Sequence, residues 1–143
     1  MDRVENLCEA LRIRGERVTR ARRRVLEVLV ASSEHLTAEE ILTEVQRGAP
    51  DIHRATVYRT LEALSRLGIT EHTHLGHGAA VYHLTDDVHH HLVCEACGAV
   101  TEVPASLFRA AERTLVAEYG FVMRPLHFAV VGKCRRCAAA TRR

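Results

Sequence analysis

Nine consecutive residues, His89 to Cys97, read HHHLVCEAC and hold three of the ten histidines together with the first of two Cys-x-x-Cys pairs. The second pair, Cys134 and Cys137, lies near the C-terminus. Thiolates suit zinc, and two such pairs supply the four sulfurs of a closed tetrahedral site that leaves no position open for chemistry. The competing chemistry is a redox dithiol. Cys8 has no such neighbour and reads as a small core residue. As a strand, residues 89–91 alternate faces. His89 and His91 then point one way and His90 the other, so one strand could feed two separate metal sites. A zinc hydrolase or deaminase would need His-Glu-x-x-His, or His-x-Glu followed by Pro-Cys-x-x-Cys, and the chain has neither. No catalytic residue is assigned.

The elements that must position these groups follow from hydrophobic spacing. Val4, Leu7 and Leu11 mark a first helix, with Gly15 suited to its C-terminal cap. Thr19 can cap a second, whose inward residues are Val25, Leu26 and Leu29. Thr37 and Glu40 form a Thr-x-x-Glu capping box, with Leu36 and Ile41 at the staple positions, and that third helix stops at Gly48. A fourth spans roughly residues 53–67. Val57, Leu61 and Leu64 form its inward stripe, while Arg54, Thr56, Tyr58, Arg59 and Arg66 face the other way. An apolar back and an Arg/Thr/Tyr front, reached by a short turn, suit a recognition helix in the major groove. The arginines would bond phosphates or guanine edges, and Thr or Tyr carbons would touch thymine methyls. An ordinary surface helix is the bland alternative.

Two extended runs, residues 69–74 and 80–84, flank Gly76-His77-Gly78 and predict a hairpin. Helices followed by a hairpin make a winged helix-turn-helix. Residues 85–88 are short and polar, a hinge. Beyond it come strands over 89–95 and 99–103, a helix started by Pro104 and lined by Leu107, Ala111, Leu115 and Tyr119, and a last strand over 126–131. Residues 138–143 read as a frayed tail. The fold class is therefore α+β: an N-terminal winged helix-turn-helix domain (1–84), a hinge (85–88) and a small C-terminal α/β dimerisation domain (89–143). The second domain has little core of its own, and a twofold homodimer would bury its sheet. Paired recognition helices would then read a palindromic operator.

Composition sets the bounds. The 47% hydrophobic fraction permits an ordinary core, and no window resembles a membrane helix. Arg12 and Arg14 interrupt the first apolar run, against a signal peptide. A cytoplasmic chain without membrane contact is expected, and in that reducing compartment paired cysteines serve metals more often than disulfides. The net charge of +2 does not announce nucleic acid, but its distribution says more. Seven arginines (12, 14, 17, 20, 22, 23, 24) stand against Glu16 alone. Read by itself, such a run is a solvated face; ahead of a winged helix it becomes a source of phosphate contacts.

These residues resemble the ferric uptake regulator family over nearly the whole chain. The marks are Arg17-Val18-Thr19-Arg20, then Ala55-Thr56-Val57-Tyr58-Arg59-Thr60-Leu61, then His89-His90-His91-Leu92-Val93-Cys94, and both cysteine pairs. The resemblance implies a homodimeric winged-helix repressor of metal-homeostasis genes, in which a regulatory metal closes the dimer onto operator DNA. On it, Arg17, Thr19, Arg20, Arg54, Thr56, Tyr58 and Arg59 are the DNA-binding candidates. It also assigns His35, His83, His89 and His91 to the regulatory metal, between the two halves, with Glu102 as a fifth ligand. An all-nitrogen set favours iron(II), nickel or zinc over manganese. His90 and His127 are candidates for a third site on the opposite strand face. The run His72-Thr73-His74-Leu75-Gly76-His77-Gly78 resembles the nickel-responsive branch, where histidines matching His72, His74 and His127 bind metal. Within the family the runner-up is a peroxide sensor that uses histidine-bound iron.

Overall fold

Helix α1 (Arg3–Ile13) turns Val4, Leu7, Cys8 and Leu11 onto one buried stripe. The computed structural model describes residues 2–32, 35–75, 78–86, 88–123 and 128–141. Helix α2 (Arg20–Ala31) starts at Thr19, whose hydroxyl accepts from the Arg22 backbone N–H at 3.2 Å. A two-residue strand, β1 (Leu36–Thr37), runs directly into α3 (Ala38–Gly48). The expected capping box is formed there. The Glu40 amide donates to Thr37 Oγ1 at 3.3 Å, and the Thr37 amide donates to Glu40 Oε2 at 2.8 Å.

Helix α4 (Arg54–Arg66) buries Val57, Thr60, Leu61, Ala63 and Leu64. Its apolar stripe joins Leu11, Leu26 and Ile41, all fully enclosed, in the core of the helical part. Each such side chain contributes roughly 1.5–3 kcal/mol by leaving water, so this core fixes how α4 is presented. Strands β2 (Thr70–His74) and β3 (Ala80–Leu84) follow, in a sheet of order β1-β3-β2. Leu36 pairs with Tyr82, and Thr37 with Val81. Strand β1 was not expected; two residues are too few to show an alternation. Gly76 and His77 of the expected turn lie outside the described residues. At the base of the hairpin Thr85 donates its amide to Ile69 O at 3.1 Å and its hydroxyl to Gly68 O at 2.7 Å.

The second sheet has β4 (His89–Cys94) at its centre, with β5 (Val100–Pro104) antiparallel on one side and β6 (Ala129–Gly132) parallel on the other. A parallel pair needs a crossover. It is supplied by a 3₁₀ turn, Ala105–Phe108, and helix α5 (Arg109–Tyr119), which ends at Gly120 with φ of 61°. Pro104 thus precedes the 3₁₀ turn rather than opening α5 itself.

The core of this unit is small and aromatic. His90, almost wholly buried, stacks on Phe128 at 3.7 Å between centroids and meets Phe108 edge-on at 5.2 Å. Leu92, Val100, Val130 and Val131 of the sheet remain exposed, as do Leu107, Val116, Tyr119, Phe121 and Val122. Residues 138–140, expected to fray, instead belong to α6 (Arg135–Ala140). Alanines favour helix, and Ala138 donates to Cys134 O at 2.8 Å to close the first turn.

The chain clusters into two compact units, Met1–His72 with Ala80–Asp86 and Thr73–Ala79 with Asp87–Arg143. Among the described residues, no helix is long and apolar enough to cross a membrane.

Candidate metal centres and nucleic-acid interface

Two turns bring the cysteines together. Cys94 ends β4 and Cys97 lies in the turn to β5, closed by the Gly98 amide donating to Cys94 O at 2.9 Å, with Gly98 at φ of 75°. Cys134 stands at the N-terminus of α6, with Cys137 one turn on. The four sulfurs lie within 4.8 Å of one another. Cys97 Sγ and Cys134 Sγ are 3.8 Å apart. A tetrahedron with ~2.3 Å zinc–sulfur bonds has edges of about 3.8 Å, so the set fits zinc.

The local electrostatics fit it too. Backbone N–H groups of Cys134 and Cys97 hold the Cys94 thiol down at about 6. The Cys137 amide likewise lowers Cys134. Cys137 is pushed up to about 12 by the thiols of Cys134 and Cys97. Four thiolates this close cannot all ionise without a cation among them.

The histidines form pairs within each unit. The rings of His35 and His83 meet edge-on with centroids 4.1 Å apart, and His83 is buried. The rings of His89 and His91 do the same at 4.9 Å, with His91 fully enclosed. Glu102 faces His91 across the β4–β5 ladder, and its Oε1 lies 3.5 Å from His89 Nε2.

The candidates for a third site are placed differently. His90 belongs to the aromatic core. His72 and His74 are exposed on β2, where His72 leans on Tyr82 at 5.8 Å and His74 Nδ1 lies 3.4 Å from Gly78 O. His127 lies outside the described residues.

On the DNA-facing side, Arg54, Tyr58 and Arg59 project from α4 into solvent, with Thr56 half-buried. Much of the arginine run is engaged within the protein. Arg12 binds Glu5 and Glu9, Arg20 binds Asp51, and Arg22 binds Glu16. Arg23 binds Glu5, and Arg24 binds Glu27. Among the described residues, Arg17 and Arg59 form no ion pair. Thr19 is occupied as the cap of α2. One residue escaped the sequence reading: Glu39 of α3, which binds both Arg54 and Tyr58. Its only signal was an acid in a helix's first turn, which is commonplace.

A winged helix-turn-helix followed by a unit whose four clustered cysteines have the spacing of a zinc site fits the class of metal-dependent DNA-binding regulators. The ferric uptake regulator family profile matches residues 13–130. The chain is 33% identical over 141 residues to the ferric uptake regulation protein of Bacillus subtilis, covering 95% of both chains. It is 27% identical over 134 residues to a peroxide-responsive repressor of Staphylococcus aureus, covering 94% of this chain and 90% of the other. A ferric uptake regulator structure from Pseudomonas aeruginosa with manganese superposes with a TM-score of 0.74 at 28% identity, covering 89% of this chain and 96% of that one. This chain belongs to the ferric uptake regulator family. Its members are metal-dependent transcriptional repressors, and that is the function of this chain.

Proposed function

We propose that His35, His83, His89 and His91 together bind one regulatory divalent metal, and that metal occupancy switches a homodimer into its operator-binding form. The observation that carries this is the pairing within each unit: two imidazoles at 4.1 Å and two at 4.9 Å, each pair half of a four-nitrogen set. Glu102 adds an oxygen, as a fifth ligand or as the group that orients His89. When bound, iron(II), nickel or zinc would supply a divalent charge shared by neutral imidazoles. The Cys94, Cys97, Cys134 and Cys137 thiolates hold a separate structural zinc.

In this reading residues 1–84 are the DNA-binding domain, 85–88 the hinge and 89–143 the dimerisation domain. The exposed apolar residues of β4, β5, β6 and α5 form the homodimer interface, since a patch this large is costly in water. Arg17, Arg20, Arg54, Thr56, Tyr58 and Arg59 contact palindromic operator DNA in a cytoplasmic setting, controlling genes of metal homeostasis. His72, His74, His90 and His127 stay outside the sensor proper.

The test is a titration of a DNA duplex selected from random sequence by the metal-loaded protein. The protein is first chelated, then given back iron(II), nickel, zinc or manganese one at a time. His89→Ala should abolish metal-dependent binding and leave the dimer intact. Equal binding under every condition would overturn the sensor reading. Activation by nickel alone, lost in His72→Ala, would bring the wing histidines back into the sensor. Peroxide-dependent addition of one oxygen atom to His89 or His91 would favour the peroxide-sensing reading instead.

A further inference from the structure

Two of the α4 side chains assigned to DNA are already engaged. Glu39, in the first turn of α3, accepts from Arg54 Nη1 at 3.0 Å on one carboxylate oxygen. On the other it accepts from Arg54 Nη2 and from the Tyr58 hydroxyl. Arg54 Nη2 lies 3.3 Å from the Tyr58 oxygen, and the guanidinium carbon sits 5.0 Å from the centre of the Tyr58 ring. The bridge ties the two helices of the helix-turn-helix together on its outer face.

A forked guanidinium and a phenol converging on one anion are the donors a DNA phosphate would take. The first turn of a helix also favours an anion, through its unpaired N–H groups and dipole. Glu39 supplies that anion from within the chain. The carboxyl of Glu39 is lowered by Tyr58 and Arg54, and the Tyr58 phenol is raised chiefly by Glu39, as a shared bond requires. The side chains of Arg54 and Glu39 are 62% and 57% exposed, so the cluster is open to a competing ligand.

We propose that Glu39 is an intramolecular competitor for DNA, an autoinhibitory contact that holds Arg54 and Tyr58 in the free protein and must release them when α4 enters the groove. The proposal rests on α4 as the recognition helix. Release leaves an uncompensated carboxylate beside the phosphate backbone, so Glu39 lowers affinity twice: it occupies the donors beforehand and repels the duplex afterwards. It thereby makes DNA binding depend more heavily on the metal-loaded dimer, since a single α4 binds less tightly than its donors alone would allow.

The experiment compares Glu39→Gln with wild type, Arg54→Ala and Tyr58→Ala, metal-loaded, on the selected duplex at several salt concentrations. Because the pair is exposed, Glu39→Gln should tighten binding about three- to tenfold. Freeing one cation should steepen the dependence of log affinity on log salt by about one unit. In the absence of DNA, the Tyr58 phenol, identified by its loss in Tyr58→Phe, should ionise at lower pH in Glu39→Gln. Unchanged or weaker binding by Glu39→Gln, while Arg54→Ala or Tyr58→Ala weakens it, overturns the competition alone. Unchanged binding by Arg54→Ala and Tyr58→Ala overturns the recognition-helix reading and this proposal with it.

Discussion

The backbone N–H of Cys134 donates to Cys94 Sγ at 3.3 Å across 40 positions of sequence. The bond exists only when the start of α6 is folded against the β4–β5 turn, so the same backbone that builds the second unit organises its sulfurs. In return, four sulfurs this close can all be thiolates only around a cation. Folding and metal binding in this unit are therefore one equilibrium. Cys94→Ala removes both a ligand and the acceptor for Cys134. Its expected outcome is loss of the bound zinc, loss of cooperative unfolding by β4–β6, and retention of the α1–α4 helical signal. Zinc content with circular dichroism checks it, and a stable zinc-free Cys94→Ala dimer would refute the structural role.

His90 gives the same unit a second sensitivity, to acid. Its ring is enclosed between Phe128 and Phe108, and burial lowers its pKa from the ordinary 6.5. Above that value the ring is neutral whether the chain is folded or not, and its burial costs no charge. As pH falls below 6.5 the unfolded chain takes up a proton that the folded chain refuses, so stability is lost progressively until the folded pKa is passed. The slope for one proton is at most ~1.4 kcal/mol per pH unit. The cysteines also protonate in acid, so the quantity to measure is the difference between wild type and His90→Phe, which keeps the stack and removes the proton site. The variant should gain relative stability as pH falls from 7 to 5. A difference that does not change with pH would show that His90 does not titrate between the folded and unfolded states.

How far the sequence revealed these arrangements depended on the range of the interaction. The capping box of Thr37 and Glu40 and the stripe of Val57, Leu61 and Leu64 are set by spacing within one or two turns, and they formed as expected. The cysteine cluster was legible for a different reason, since two Cys-x-x-Cys pairs constrain their own chemistry. The stack of His90 on Phe128 has no such signature. It joins residues 38 positions apart across a parallel strand pair. The grip of Glu39 on Arg54 and Tyr58 depends on the turn between α3 and α4, which no periodicity encodes. The ion pairs of Arg23 on α2 with Glu5 of α1, and of Arg20 with Asp51 in the turn before α4, are likewise set by packing that no local pattern encodes.

Gly48 and Arg24 give a test of another long-range contact that sequence pattern could not reveal. Arg24, on α2, donates from Nη2 to Glu44 O at 3.0 Å and from Nε to Val45 O at 3.5 Å. It thus adds a charged donor to carbonyls of the last turns of α3, one of which, Val45 O, also accepts from the Ala49 amide at 2.9 Å. A Cβ on Gly48 would lie 2.6 Å from Arg24 Nη2 and 2.8 Å from its Cζ. The guanidinium is the far end of a flexible chain and can swing away, at the loss of both bonds. Hydrogen bonds from a charged donor are worth about 1.5–3 kcal/mol, less at a half-buried position. The opposing gain is helix propensity, up to ~1 kcal/mol for Gly→Ala and smaller at a helix end. Gly48→Ala should therefore lower stability by about 0.5–1 kcal/mol in the wild type, yet raise it by a similar amount in Arg24→Ala, where nothing is displaced. Urea unfolding of the four proteins measures this coupling. The same effect of Gly48→Ala in both backgrounds would mean that Arg24 does not occupy the space above Gly48.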